Sequence, residues 1–352
     1  MDAMRRWQFW VGVLISLFFM GWVIKDLLPH LDDFWKSLLG ANYWWLIPGV
    51  IVYSLAVLAR AWRWHYLLLP IKPIRTLRLF PITVIGYMGN NIYPARAGEV
   101  LRAVILKKSD DVPIMASLAT IIVERIFDGV VMLAFIFLNL PELMKLSGGS
   151  GVLGEISIRD VALYGSMIFF GALAVFLLAA MFPKPTEAVV EWFINHLVPS
   201  RFRAQILGLA TRFLSGLEAL NSPIAVLKIF AVSVLIWLLE TGKYWFVMRG
   251  FPFHVSFFTL MLMNGIVNLT TTIPSAPGYW GTFDKPGIEV LKVYNVPEGI
   301  AASYTIVLHI ALWVPITVLG AYFLARTGLH WTDAIKQVKE EDSVEHFKGE
   351  VE

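Results

Sequence analysis

Long apolar runs alternate with short polar segments along this chain. Six runs approach the length of a membrane-crossing helix, roughly 17–25 mostly apolar residues: Trp7–Ile24, Trp44–Leu69, Pro113–Leu140, Val161–Met181, Ala225–Val247 and Ile300–Ala325. Two further apolar stretches, Leu79–Ile105 and Phe257–Val293, are interrupted. The first breaks at NNIYPARAGE, the second at NLTTTIPSAPGYWGTFD. Asn, Pro and Gly end regular helix there. Backbone groups freed at such a break have no partner in lipid, so they must face protein or a wet cavity. The pattern predicts an all-α polytopic membrane protein with about six full spans plus two re-entrant broken-helix hairpins.

Composition agrees. The 352 residues are 57% hydrophobic and 16% charged, and the mean hydropathy is +0.67. A soluble domain of this size needs a far more polar surface. The longest polar block, from Lys184 to about Ser222, is too short for an ordinary enzyme domain. The chain contains no cysteine, which excludes disulfides, thiolate catalysis and cysteine metal sites. Arg5 and Arg6 precede the first apolar run, which ends at Lys25 without a small-x-small cleavage pattern. It reads as a retained span rather than a signal peptide.

Short loops rich in Lys and Arg face the cytoplasm. Arg5 and Arg6 place the N-terminus there. The second span then returns near Arg60, Arg63, Lys72, Arg75 and Arg78, and Arg201, Arg203, Arg212 and Arg326 fall on the same side. Lys243 and Arg249 run against the pattern. The reading is one transmembrane domain, residues 1–326, with both termini cytoplasmic and a polar tail at 327–352. Within it, segment 184–223 carries an amphipathic stretch at 199–221, suited to the inner membrane surface.

The two interrupted stretches echo each other. Both run Asn, Pro, Gly, then acid, and the spans after them read VPIMASLATIIVER from Val112 and VPEGIAASYTIVLHI from Val296. An internal repeat is the simplest account. By the orientation above, the copies at about 44–140 and 225–325 are inverted, a recurring transporter design.

Charged residues inside apolar spans are functional candidates. Arg96 and Arg102 have the chemistry to hold an anionic headgroup by bidentate hydrogen bonds, with Glu99 as an internal partner; a purely structural Arg96–Glu99 pair is the alternative. Asn90, Asn91, Asn268, Thr272, Ser275 and Asp284 are the polar groups of the two breaks expected to line the same cavity. Pro94, Gly98, Pro274, Pro277, Gly278 and Gly281 shape the hairpin backbone. Glu124, Arg125 and Asp128 lie within one span, the two carboxylates on one face. They suit either a proton-coupled switch or an ion pair that braces the hairpin. Glu240 and Lys243, three apart, form an i,i+3 pair; His309 occupies a site similar to Glu124 in the second copy. Asp32 and Asp33 read as the acidic start of a short interfacial helix; a surface glycosyl-transfer carboxylate is the competing reading.

The order N-x-x-P-x-R-x-G-E-x-x-R (Asn91 to Arg102), V-E-R-x-x-D (Val123 to Asp128) and I-P-x-x-P-G-x-x-G-T (Ile273 to Thr282) resembles the lysylphosphatidylglycerol synthase transmembrane, flippase-like family over about residues 7–326. Tyr279 and Trp280 fill positions where that family suggests small residues, and Asp284 stands where Glu is common. The resemblance implies lipid translocation without lipid synthesis, because no soluble aminoacyl-transfer domain is present. The expected function is a flippase or translocase for an anionic phospholipid or polyprenyl-phosphate-linked lipid. A lipid-linked glycosyltransferase and an accessory subunit of a lipid-modifying enzyme are the alternatives. No cofactor or metal is expected. The partners expected are a membrane lipid, a second copy of the chain and a lipid-synthesising enzyme, with no nucleic acid, in a bacterial or archaeal cytoplasmic membrane.

Overall fold

The computed structural model describes residues 7–93, 96–146, 152–153, 156–157, 182–215, 222–273 and 275–327, with isolated positions from 167 to 181 and at 217 and 220. Among these, helix dominates, and the strands are one two-residue antiparallel ladder, Val152–Leu153 against Ile156–Ser157. Helix α1 (Trp7–Leu27) passes through a 3-10 turn into α2 (Leu31–Gly40), whose first turn carries Asp32 and Asp33. Then come α3 (Leu46–Leu68), α4 (Thr76–Ile92), α5 (Ala97–Asp110) and α6 (Ile114–Leu146). The second half holds α7 (Pro183–Leu197), α8 (Ser200–Ser215), α9 (Pro223–Met248), α10 (Phe257–Thr270), α11 (Asp284–Val293) and α12 (Glu298–Thr327).

Local chemistry explains the boundaries. The Ser256 side chain accepts from Thr259 N–H and caps α10, as N-cap serines do. Pro223 opens α9 at a position where its missing N–H costs nothing. At the first break α4 stops at Ile92, and Arg96 takes a left-handed φ of 53° before α5 begins. At the second, Gly278, Tyr279 and Gly281 all have positive φ, at 80°, 60° and 82°. A left-handed Tyr is costly, which is why a small residue suits position 279. Pro94 and Pro274 lie outside the described residues.

Among the described residues, four stretches are long and apolar enough to cross a membrane: Trp10–Gly40, Tyr43–Leu68, Pro223–Met248 and Glu298–Arg326. Four of the six expected spans have their counterpart among these. Helix α6 has the length, at 33 residues, but Glu124, Arg125 and Asp128 interrupt its apolar character. The expected span Val161–Met181 falls mostly outside the described residues, as does the tail 328–352. The amphipathic stretch emerges as α8, which rests on α6 and is preceded by α7. Helix α7 exposes Val189, Trp192 and Phe193.

Between helices in lipid, apolar burial supplies little drive, so close packing of small residues matters. Arms α4 and α5 meet at Gly86, Gly89 and Gly98; a Cβ on Gly98 would fall 1.8 Å from the Gly86 carbonyl oxygen. Across the chain the packing is exchanged. The α4 arm lies on α12, the α10 arm lies on α6, α2 lies on α12, α8 lies on α6, and α3 packs on α9. One apolar core surrounds Trp64, Leu67, Ile85, Leu106 and Phe127, and another surrounds Tyr244, Leu260, Met263, Leu291 and Leu308. Leu14, Leu17, Phe18, Ile51, Leu227 and Val318 point outward, as a lipid-facing surface requires.

Candidate functional site

Between the two cores lies a buried web of charge. Arg63 of α3 is fully buried. Its Nη1 donates to Asp128 Oδ1 at 2.6 Å and to Ser233 Oγ at 2.8 Å, and its Nη2 reaches Asp128 Oδ2 at 3.3 Å. Asp128 also accepts from Trp237 Nε1 at 2.9 Å and pairs with Arg125 at 3.3 Å. Arg102 of α5 donates to Glu124 Oε2 at 2.9 Å and lies 4.0 Å over the Trp64 ring. Arg60 of α3 donates to Glu240 Oε1 at 2.6 Å, and Lys243 bonds the other Glu240 oxygen. Arg60 sits over the rings of Tyr87 and Trp237, contacts that favour a desolvated guanidinium.

The web reaches the surface at one end. Glu99 lies 3.6 Å from Arg125 and 3.8 Å from Arg96, and all three side chains are 21–29% exposed. Arg96 also reaches the Thr271 carbonyl of the second break at 3.4 Å, and Tyr279 lies within electrostatic reach of Arg96, Glu99 and Arg125. In formal charge, Arg60, Arg63, Arg96, Arg102, Arg125 and Lys243 oppose Glu99, Glu124, Asp128 and Glu240, six cations to four carboxylates. The excess is two positive charges. Within this web, Nε of Arg60, Arg63, Arg102 and Arg125, Nη2 of Arg102, and Oε1 of Glu99 and Glu124 are buried with no hydrogen-bond partner.

Of the residues expected here, Arg96, Glu99, Arg102, Glu124, Arg125, Asp128, Glu240 and Lys243 are brought together. Both readings of Arg96 are met in geometry, since it contacts Glu99 while its guanidinium stays partly open. Others sit elsewhere. Asn91 bonds Thr317 Oγ1 and the Trp313 carbonyl. Asn268 bonds Asn264, Thr272 bonds its own helix at Leu269 O, and the Ser275 backbone lies against Gly12 of α1. Asn90 lies beside Gly98 with its side-chain amide oxygen unpaired. His309 does not neighbour the web; it bonds Asp284 at 2.9 Å and the Gly278 carbonyl at 2.7 Å.

Two residues demand a correction. Arg60 and Arg63 read from the sequence as topogenic charges at the inner end of the second span. They are buried core ions instead: both lie at least a full turn inside α3, on the face that meets Glu240 and Asp128 rather than the membrane surface. Lys243, which ran against the loop-charge pattern, is likewise buried beside Glu240. Trp64, Tyr87, Ser233 and Trp237 also join the web without any signal in the sequence motifs. Asp26, Glu289 and Glu298 approach closely enough to share a cation, but Lys285 and Lys292 already bond them.

Residues 9–320 match the family described as the lysylphosphatidylglycerol synthase TM region. The chain belongs to that family. It is similar to a UPF0104 membrane protein of Methanothermobacter thermautotrophicus, with 24% identity covering 92% of this chain and 94% of the relative. A UPF0104 membrane protein of Methanocaldococcus jannaschii is 22% identical over 82% of this chain and 87% of its own length. A protein named glycosyltransferase AglD, from Haloferax volcanii, is 23% identical over 74% of this chain but only 45% of its own length. No solved structure gives a significant match. Family and helices together make this a multi-pass membrane protein.

Proposed function

We propose that the protein is a lipid translocase that carries an anionic lipid, a phospholipid or a polyprenyl-phosphate-linked lipid, across the cytoplasmic membrane. The observation that carries this reading is the buried web with two surplus positive charges, open at Arg96 and Arg125. Unpaired charge in a low-dielectric interior is costly, and an anionic headgroup would offset it. The headgroup would enter at Arg96 while its tails stay in lipid.

Two inverted repeats with re-entrant hairpins, rocking against each other, would supply alternating access. The exchanged packing supports this, since each first hairpin arm lies on the last helix of the other half. Helices α2 and α8 obey the same exchange, which supports a repeat unit that also takes in the interfacial helix before α3 and α9. The termini are assigned to the cytoplasm. The name of the AglD relative favours a second reading, a direct part in lipid-linked glycosyl transfer, for which labelled-sugar transfer to a polyprenyl phosphate is the assay.

The test is leaflet exchange of short-chain labelled lipids in reconstituted liposomes. The panel is phosphatidylglycerol, its lysyl form, phosphatidylethanolamine and a polyprenyl phosphate. The wild type exchanges one headgroup class selectively, and Arg96→Ala loses that exchange. Folded protein that exchanges none of the four, with a proton gradient applied, sinks the proposal.

A further inference from the structure

His309 holds the second break to α12 in a way that requires a proton. Its Nε2 lies 2.7 Å from the Gly278 carbonyl oxygen, and its Nδ1 lies 2.9 Å from Asp284 Oδ1. A carbonyl only accepts, so Nε2 carries the one hydrogen of a neutral imidazole. The bond from Nδ1 to the carboxylate then needs a second hydrogen. Imidazolium with carboxylate supplies it, and so does imidazole with carboxylic acid. Without that proton, one of the two bonds becomes a lone-pair repulsion at hydrogen-bond distance. The other Asp284 oxygen accepts from Gly281 N–H at 2.8 Å, so the pair controls both ends of the turn. The rings of Trp280 and Phe283 lie 4.5 and 4.4 Å from the imidazole, which leaves it no free rotation.

The first half is tied differently. There Arg102 on the hairpin pairs with Glu124 on the following span, and a guanidinium keeps its charge throughout the accessible pH range. One hairpin thus has a permanently charged tie and the other a titratable one.

We propose that Asp284 and His309 form the proton site of this protein, binding one proton to latch the second hairpin and losing it to release the turn at 277–284. The latching role rests on geometry alone; its use as the coupling step of transport rests on the lipid-translocase reading. The neighbouring charges are otherwise engaged. On α1 and α11, Asp26, Lys285, Glu289 and Lys292 form their own chain of pairs, ending at Glu298 of α12. Arg60 of α3 bonds Glu240 and Lys243 bonds it from α9, and Arg78 of α4 pairs with Asp110. Asp32, Asp33 and Lys36 of α2 are exposed, and Tyr279 of the turn lies toward Arg96. Among the described residues Asp284 is the ionisable group bonded to His309.

Asp284→Asn is the decisive variant. Its amide can donate to Nδ1 while its oxygen still accepts from Gly281 N–H, so the latch closes without a proton. The emission of Trp280 reports the latch, because losing the proton changes both the charge of the adjacent imidazole and the packing of the indole against it when the turn is released. In detergent, the wild type shows one emission step with pH, which the control Trp280→Phe loses. Asp284→Asn shows no step. In liposomes, wild-type lipid exchange changes with pH no more steeply than about tenfold per pH unit, as one proton dictates, and Asp284→Asn makes exchange independent of pH. An Asp284→Asn variant that keeps the wild-type emission step overturns the proposal, as does a wild type without one. A normal step with no exchange of any lipid upholds the proton site and removes the transport reading instead.

Discussion

Replacing Asp128 by Asn takes one negative charge from a point where α3, α6 and α9 meet. Asp128 accepts from Arg63 at 2.6 Å, from Trp237 at 2.9 Å, and pairs with Arg125 at 3.3 Å. Asn keeps one acceptor of similar shape but leaves both guanidinium groups facing a neutral amide, so the surplus of the web rises from two to three. Charges about 4 Å apart at an effective dielectric near 20 interact by about 4 kcal/mol, and breaking a buried pair from one side typically costs about 3–5 kcal/mol. At roughly 2–4 °C per kcal/mol for a domain of this order of size, the melting temperature in detergent falls by roughly 6–20 °C. The retained acceptor puts the result toward the lower end. Thermal melting followed by size-exclusion recovery measures it. Asp111→Asn, which removes an exposed partner of Lys107, is the control and leaves melting unchanged. The double variant Arg63→Leu with Asp128→Leu recovers much of the loss, since a buried pair replaced by apolar groups is often neutral. An Asp128→Asn protein that melts with the wild type would refute the claim that Asp128 stabilises the fold by neutralising the buried guanidinium groups of Arg63 and Arg125.

Three further outcomes follow from the packing. Gly98→Ala places a Cβ 1.8 Å from Gly86 O and 2.6 Å from Asn90 N, so the α4–α5 hairpin cannot close and the yield of monodisperse protein collapses, whereas Gly208→Ala, with open space around it, expresses normally. Gly281→Ala meets a φ of 82° and the Met20 backbone nitrogen at 2.8 Å, so it detaches the second break from α1, seen as faster protease cleavage within 271–283. Arg96→Ala, at the partly exposed end of the web, shifts melting by no more than a few degrees, as partly screened pairs contribute about 1 kcal/mol or less, yet abolishes selective lipid exchange; an equal fall in both would make Arg96 a structural residue.

The helical class, the two breaks and most of the web's carboxylates were legible because each has a local signature. A break announces itself by Asn, Pro and Gly within an apolar run, and Glu124 or Glu240 stands out as a charge amid Val, Ile and Leu. Arg60 and Arg63 were not legible for the opposite reason. Arginine near a span end is the ordinary topogenic signal, and their partners lie 65 to 180 residues away in sequence. The second break misled in another way. Its Asn268, Thr272 and Ser275 look like ligands by type, but a tight turn spends such groups on its own backbone, as Thr272 does with Leu269 O.

The web also differs in how firmly its links are held. Arg63–Asp128 and Arg102–Glu124 join elements of the first half, while the ion pair that spans α3 and α9, and so the two halves, is Arg60–Glu240. That pair has a substitute on each side. Lys243 bonds the second oxygen of Glu240, and the rings of Tyr87 and Trp237 lie about Arg60. Opening it therefore orphans neither charge. Arg63–Asp128 also has reserve contacts, Ser233 and Glu124 for the guanidinium and Trp237 and Arg125 for the carboxylate, but it lies within the first half, where a movement between the halves does not part it. A buried pair is costly to break because of the charge left behind, so a link with reserve partners is the one a moving interface can spare. On the translocase reading, the halves separate at Arg60–Glu240, and an anionic headgroup arriving through Arg96 and Arg125 has a guanidinium to meet there without dismantling the pairs that hold the first half together.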